Sequence, residues 1–179
     1  MNDKLKIGII VGSTREGRVG KQVGEWVLSE SKRLGKDEYQ LIDVKSFNLP
    51  LLGEANAEQE VALWRKTINE LDGFIFVVAE YNHAMTASLK NALDLASVEW
   101  NNKAAGLVSY GSAYGARAAE QVRLVLGELQ VADVRTQVLL SLFMDFKDGK
   151  FNPQSIHEKN MEEMLNQLSR WTGALKSLR

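Results

Sequence analysis

The chain contains no cysteine, which removes disulfides, thiolate metal sites and cysteine nucleophiles and suits a reducing compartment such as the cytoplasm. It has two histidines, far apart in sequence and without paired carboxylates at ligand spacing, so no metal site is expected. Two prolines leave no proline-rich linker, and there is no repeat or low-complexity tract. Charge of one sign is also missing. Lys plus Arg number 22 against 23 Asp plus Glu, so no basic field attracts nucleic acid or an anionic membrane, and a charged ligand must be held locally. Long apolar runs are absent as well. The charged segment Met1–Lys6 precedes only a short run to Val11, too short for a signal core or a membrane span, so the expectation is a chain neither anchored nor exported. What is present, 179 residues with 45% apolar content, fits a single domain over 1–179 with a single buried core.

The apolar pattern alternates between strand and helix. Leu5 to Val11, Tyr39 to Val44, Gly73 to Ala79, Ala104 to Tyr110 and Asp133 to Leu139 read as strands. Between and after them, Val19 to Leu34, about Ala57 to Leu71, Ala87 to Val98, Ala116 to Leu129 and Ser155 to Leu178 read as helices. Right-handed crossovers then give an α/β three-layer sandwich of flavodoxin-like kind, with a five-stranded parallel sheet in the order 2-1-3-4-5. Ligands in such a fold sit at the carboxyl ends of the strands, which points to the loops after strands one, three and four.

The first loop, Gly12-Ser13-Thr14-Arg15-Glu16-Gly17-Arg18-Val19-Gly20, runs from a strand into a helix N-terminus, where free N–H groups and the helix dipole favour an anion. Ser13 and Thr14 bring hydroxyls, Arg15 and Arg18 bring charge-assisted donors, and the glycines allow close approach. A phosphate fits that set. The dinucleotide pattern G-x-G-x-x-G is absent, which leaves Asp43, at the end of strand two, no such loop to serve as a ribose-binding acid. The ATPase pattern G-x-x-x-x-G-K-[ST] fails because Arg18 and Val19 stand where Lys and a magnesium-binding hydroxyl are required. The plainer alternative is a capped turn with two solvated arginines.

The loop after strand three, Ala79-Glu80-Tyr81-Asn82-His83-Ala84-Met85-Thr86, gathers a carboxylate, an aromatic, an amide and an imidazole that suit the rim and face of a flat heterocycle. A capped turn with Thr86 heading the next helix accounts for part of it equally well. His83 reads as a ring neighbour or an exposed polar residue rather than a proton donor. After strand four, Ser109-Tyr110-Gly111-Ser112-Ala113-Tyr114-Gly115-Ala116 supplies glycines for tight contact and hydroxyl donors, or else a simple strand-to-helix turn.

These motifs resemble a family, the NAD(P)H-dependent FMN reductases, which includes quinone, azo and chromate reductases. Gly12-Ser13-Thr14-Arg15 looks like its G-S-x-R phosphate loop, Glu80-Tyr81-Asn82 like its P-E-Y-N signature, and Leu89-Lys90-Asn91-Ala92-Leu93-Asp94 like its L-K-N-A-x-D helix. The resemblance implies that Ser13, Arg15, Arg18, Val19 and Gly20 surround the FMN phosphate, that Glu80, Tyr81, Asn82 and His83 line the isoalloxazine, and that Ser109 and Gly111 complete the pocket. It also implies NADPH or NADH as electron donor, a small-molecule acceptor, no catalytic side chain, and a homodimer or homotetramer with the Leu89–Asp94 helix at an interface. Ala79, Thr86 and Leu95 depart from the family's usual proline, proline and tryptophan, which bears on the shape of the loop after strand three. A flavodoxin-type electron carrier is the alternative, although its loop is hydroxyl-rich on an acidic surface, whereas this loop carries two arginines on a chain of net charge −1.

Overall fold

The computed structural model describes residues 4–54 and 57–179; Met1–Asp3, at the head of the charged amino-terminal segment, lie outside the described residues. Strand β1 (Lys6–Val11) alternates its side chains between two cores, Ile10 on one side and Ile7, Ile9 and Val11 on the other, which is why it reads as a continuous apolar run. Helix α1 (Gly20–Leu34), strand β2 (Glu38–Asp43) and a 3-10 turn (Val44–Phe47) come next. Then follow α2 (Glu58–Asn69), β3 (Gly73–Tyr81), β4 (Ala84–Met85), α3 (Ala87–Asp94), a second 3-10 turn (Val98–Trp100) and β5 (Lys103–Gly111). Helix α4 (Ala116–Glu128), β6 (Val131–Ser141), the short pair β7 (Phe146–Lys147) and β8 (Lys150–Phe151), and α5 (His157–Lys176) complete the chain.

The main strands pair in parallel in the order β2-β1-β3-β5-β6, the expected 2-1-3-4-5 once the two-residue β4 is set aside. One face carries α2, α3 and α4 over a core built on Trp64, Phe74, Phe76 and Trp100; the other carries α1 and α5 over Ile9, Val27, Val108 and Met164. Helix α3 stops at Asp94, short of the expected Val98. Its last carbonyls are taken by side chains instead: Trp64 Nε1 donates to Ala92 O (2.8 Å), Trp100 Nε1 to Leu93 O (3.1 Å) and Arg65 Nε to Leu95 O (2.8 Å). Burying two indoles requires partners for their N–H groups, and the helix end provides them.

Strand β6 is longer than expected and bulged. Its pairing slips between Ala105 and Leu107, whose partners are Asp133 and Gln137, while Val134 O accepts from Arg123 Nη1 (3.1 Å) and Thr136 N–H donates to Gln167 Oε1 (3.0 Å). On α5, Met161, Met164, Leu165 and Leu168 are buried as the helical spacing implies, but Trp171 faces solvent, as does Leu178 just beyond the helix end. Between β6 and α5 the buried Asp145 holds a strap together: its carboxylate accepts from Ser141 N–H (2.7 Å) and Gln154 N–H (3.1 Å) and lies 2.7 Å from His157 Nε2. The β7–β8 hairpin in that strap turns at Asp148 and Gly149, both with positive φ, and sets Phe151 edge-on to Trp26 of α1.

Candidate functional site

Strand β1 delivers Gly12 against the start of α3, where an added Cβ would lie 2.9 Å from Leu89 Cβ. The carbonyl of Gly12 accepts from Thr86 Oγ1 and Ser88 Oγ, both at 2.7 Å, and Thr86 also caps α3 by accepting from Leu89 N–H. Ser13 is buried, with its Oγ 3.2 Å from Tyr110 Oη of β5. Burial pushes the Tyr110 hydroxyl up to about 12, so it stays a neutral partner at ordinary pH. The chain then crosses an exposed tip, turns through Gly17 at φ 66, and enters α1 at Gly20. A Cβ on Gly20 would collide with Ser13 Oγ and lie 2.6 Å from Tyr110 Oη, so glycine lets the helix start that close to the two hydroxyls. The first turn of α1 contains no acidic residue, and no side chain caps it. Its free N–H groups and dipole are therefore open to an anion.

The two arginines of this loop are used differently. Arg15 is exposed at the tip, and its Nε donates to the Tyr81 hydroxyl at 2.8 Å. Arg18 is largely buried: Nη1 donates to Ser13 O (2.6 Å) and Asp43 Oδ1 (2.7 Å), and Nη2 to Asp43 Oδ2 (2.5 Å). Burial pushes the Asp43 carboxyl up, but the Arg18 guanidinium and the Lys45 N–H outweigh it and hold it below the ordinary carboxylate range. Lys45 pairs in turn with Glu16 at the tip.

Strand β3 runs past the sheet into a hairpin with β4, in which Tyr81 faces Ala84 and the two turn residues Asn82 and His83 have φ 50 and 69. Two positive φ values in a two-residue turn match a type I′ hairpin. Tyr81, Asn82 and His83 are exposed on it. Glu80 turns inward: its side chain is 4% exposed, Oε1 accepts from Arg117 Nε (2.6 Å), and Oε2 is buried without a partner. Arg117 Nη1 also lies 2.7 Å from His83 Nε2, and since a guanidinium only donates, that imidazole nitrogen accepts.

At the end of β5, Ser109 is fully buried and its hydroxyl donates to Tyr114 O at 3.0 Å, closing the loop onto itself. Gly111 packs on Glu80, where an added Cβ would lie 3.0 Å from Glu80 Cβ. Gly115 has φ 71 and its Cβ would sit 2.6 Å from Tyr110 N, a position only glycine fills without strain. Next to this loop, Leu142 N–H donates to Gly111 O (3.1 Å), bringing the exposed side chains of Phe143 and Met144 to the same edge.

All three sequence-expected loops thus meet at one edge, with Ser13, Arg15, Val19, Gly20, Tyr81, Asn82, His83 and Gly111 around it, while Arg18, Glu80 and Ser109 point into its frame. Sequence reasoning missed Tyr110, Ser88, Arg117 and the Leu142–Met144 lip. Tyr110 stood inside a segment already singled out and Ser88 between two of them; Arg117 and the lip carried no motif. A hollow of about 360 Å3 adjoins the loop after β1 between Thr14, Lys45, Asn48, Leu49, Ser88 and Asn91. A larger one, about 730 Å3, opens at the opposite end of the sheet near Lys4, Lys36 and Lys176, away from all three loops. Among the described residues no helix is long and apolar enough to cross a membrane.

Comparison with known proteins places the chain in a family. The family described as NADPH-dependent FMN reductase matches residues 5–145. An NAD(P)H-dependent FMN reductase of Schizosaccharomyces pombe is 32% identical over 169 residues, covering 89% of this chain and 84% of that protein. A quinone reductase of Pseudomonas putida is 29% identical over 171 residues, covering 87% and 89%. Among solved structures, a flavoenzyme NAD(P)H:(acceptor) oxidoreductase from Paracoccus denitrificans superposes with a TM-score of 0.75 at 16% identity, over 95% of this chain and 98% of that one.

Proposed function

Because the chain belongs to the NADPH-dependent FMN reductase family of oxidoreductases, we propose that it holds FMN at the edge just described and reduces quinones, flavins or similar small acceptors in a ping-pong cycle. The observation that carries this reading is the uncapped start of α1. Its free N–H groups, the Gly20 approach to two hydroxyls and the exposed Arg15 guanidinium fit a phosphate monoester.

Ser13, Arg15, Val19 and Gly20 would surround that phosphate, with Arg18 at the base of the loop. The hairpin residues Tyr81, Asn82 and His83 and the loop from Ser109 through Gly111 would take the isoalloxazine, with Glu80 beneath them. When bound, the flavin supplies the redox chemistry, its N5 accepting hydride from NADPH or NADH and the electrons passing on to the acceptor. The chain's own part is binding and orientation. Arg15 can turn from the Tyr81 hydroxyl to the phosphate, Arg117 keeps the buried Glu80 carboxylate neutralised, and the Phe143–Met144 lip shields the edge from water. No side chain is required as acid or base. The exposed outer residues of α3 (Ala87, Lys90) adjoin this edge, which suits a homodimer or homotetramer, and the cysteine-free composition suits the cytoplasm.

An absorbance spectrum of the purified protein tests the reading directly. Oxidised flavin bands that bleach with NADPH or NADH without oxygen and return on adding a quinone are the expected result. Flavin bands that neither nicotinamide bleaches would favour the one-electron carrier, and a protein that takes up no FMN would exclude both.

A further inference from the structure

The end of β2 reaches the phosphate loop through one side-chain pair. Arg18 and Asp43 are 25 residues apart, and both side chains are largely buried, 10% and 22% exposed. The carboxylate is fixed from its own side as well, because Asp43 Oδ1 accepts from Lys45 N–H (3.1 Å) at the start of the 3-10 turn. Nη1 of Arg18 is shared between Asp43 and the carbonyl of Ser13, and Nη2 donates to Asp43, so the two terminal nitrogens form a bidentate fork on that carboxylate. Moving it to a ligand would strand a mostly buried carboxylate. Arg15, by contrast, is exposed and gives up only one side-chain contact, to Tyr81.

We infer that Asp43 and Arg18 are a positioning pair: β2 holds Arg18, Arg18 holds the Ser13 carbonyl, and the phosphate loop is set in its binding shape before any ligand arrives. The peptide plane transmits the effect. In a trans peptide the carbonyl and the next N–H point opposite ways, so pinning Ser13 O onto Arg18 turns Thr14 N–H away from it. This inference rests on the phosphate reading of the loop and assigns its two arginines separate roles, Arg15 to the anion and Arg18 to the backbone.

The two possible roles of Arg18 predict opposite signs for Asp43→Asn. If Arg18 were the phosphate's counter-charge, releasing it from Asp43 would tighten FMN. If it positions Ser13, the same change loosens FMN. The measurement is the dissociation constant of FMN and of riboflavin on the full chain freed of flavin, by quenching of flavin fluorescence, with thermal unfolding as a check on folding. The expected result is an FMN affinity lower by about tenfold in Asp43→Asn, equivalent to one tenfold step in binding, with riboflavin unchanged. Arg18→Lys, which keeps the charge and loses the fork, should fall equally, the double variant no further than either single, and Asp43→Glu should recover part of the loss. Tighter or unaltered FMN binding in Asp43→Asn overturns the inference, as does full affinity in Arg18→Lys. Equal affinity of the unaltered chain for FMN and riboflavin removes the phosphate reading itself, and the pair's role with it.

Discussion

At the amino-terminal ends of the strands Asp72 uses both carboxylate oxygens, accepting from Lys6 N–H (3.0 Å), Lys176 Nζ (2.9 Å) and Arg179 Nη2 (3.1 Å), and Lys103 Nζ closes α2 by donating to Ile68 O (2.7 Å). At the carboxyl ends, Glu80 Oε2 is buried with no partner, α1 begins uncapped, and Arg15 sits exposed. One sheet therefore treats its two edges in opposite ways. The Asp72 and Lys103 contacts at the first edge fasten β1, β3, α2 and the chain's last turn together, while Asp37 Oδ2 and Thr172 Oγ1 near the same edge have no partner among the described residues. Capacity at the second edge is left for a ligand. A doubly wound sheet makes this division natural, because its helices turn their free N–H groups toward the carboxyl ends of the strands.

The sharpest way to break that comparison is Asp72→Ala. It leaves the part-buried Lys6 N–H without its acceptor and two cations without theirs, at an expected cost of about 2–3 kcal/mol in urea unfolding. FMN affinity should stay unchanged; a parallel loss would mean the two edges are not separable. Arg15→Ala is the mirror experiment. Stability should hardly move, because the side chain is exposed, while FMN binding weakens by about 1.5–3 kcal/mol, the range for a charge-assisted hydrogen bond. Full flavin occupancy after gel filtration of that variant would sink the phosphate assignment.

Much of this division could be read in advance, and the unread part has a common cause. Strands β1, β3 and β5 were legible because burial on both faces keeps them almost free of charge, with Ile, Val and Phe filling β1 and β3 and Ala, Gly, Leu and Val the first part of β5. The loop from Gly12 to Gly20 was legible through its glycines and its place between strand and helix. The fate of Arg18 was not, since its partner Asp43 lies on a neighbouring strand and charge alone does not say which of two arginines will be tied down. The β3–β4 hairpin escaped because its pairing is only two residues deep and its turn uses Asn82 and His83 rather than glycine. The β7–β8 hairpin did carry a signal, Asp148-Gly149 between Phe146-Lys147 and Lys150-Phe151, of the sort that favours a type I′ turn. The early end of α3 depends on indoles from outside it, Trp64 and Trp100, and has no local signature.

A pH titration sharpens the amino-terminal half of the comparison. Lys103 is 2% exposed, and burial pulls its ammonium down from 10.5 to about 8. Between pH 8 and 10.5 the unfolded chain therefore holds the proton that the folded chain has released, so stability rises with pH in that window. Below pH 8 both states are charged and the cost of burial is constant. Tyr39 and Tyr110, pushed up to about 12 by burial, act with the opposite sign above pH 10, where the unfolded chain ionises first. Lys103 thus has the interval from 8 to 10 largely to itself, and the gain there should be about 1–2 kcal/mol. Comparing the unaltered chain with Lys103→Met isolates it: the rise should vanish in the variant. A rise of equal size in Lys103→Met would assign it to other groups.

The smallest effect probes whether the carboxyl edge is truly set beforehand. Gly17 has φ 66, and nothing lies within 4 Å of where its Cβ would be, so Gly17→Ala meets no neighbour and carries only the backbone cost of a left-handed residue, about 1 kcal/mol. On one side Arg18 is tied to Asp43, and on the other Glu16 makes only a surface pair with Lys45, so the tip is held chiefly from its Arg18 side. A pinned loop answers with a slightly lower melting temperature and unchanged FMN affinity, and Gly17→Asn, which tolerates that conformation better, loses less. A loop shaped by its ligand answers the other way: the free chain relaxes and keeps its melting temperature, and the strain appears as weaker FMN binding. Measuring both quantities on the same two variants decides which of these descriptions holds for the tip that carries Arg15.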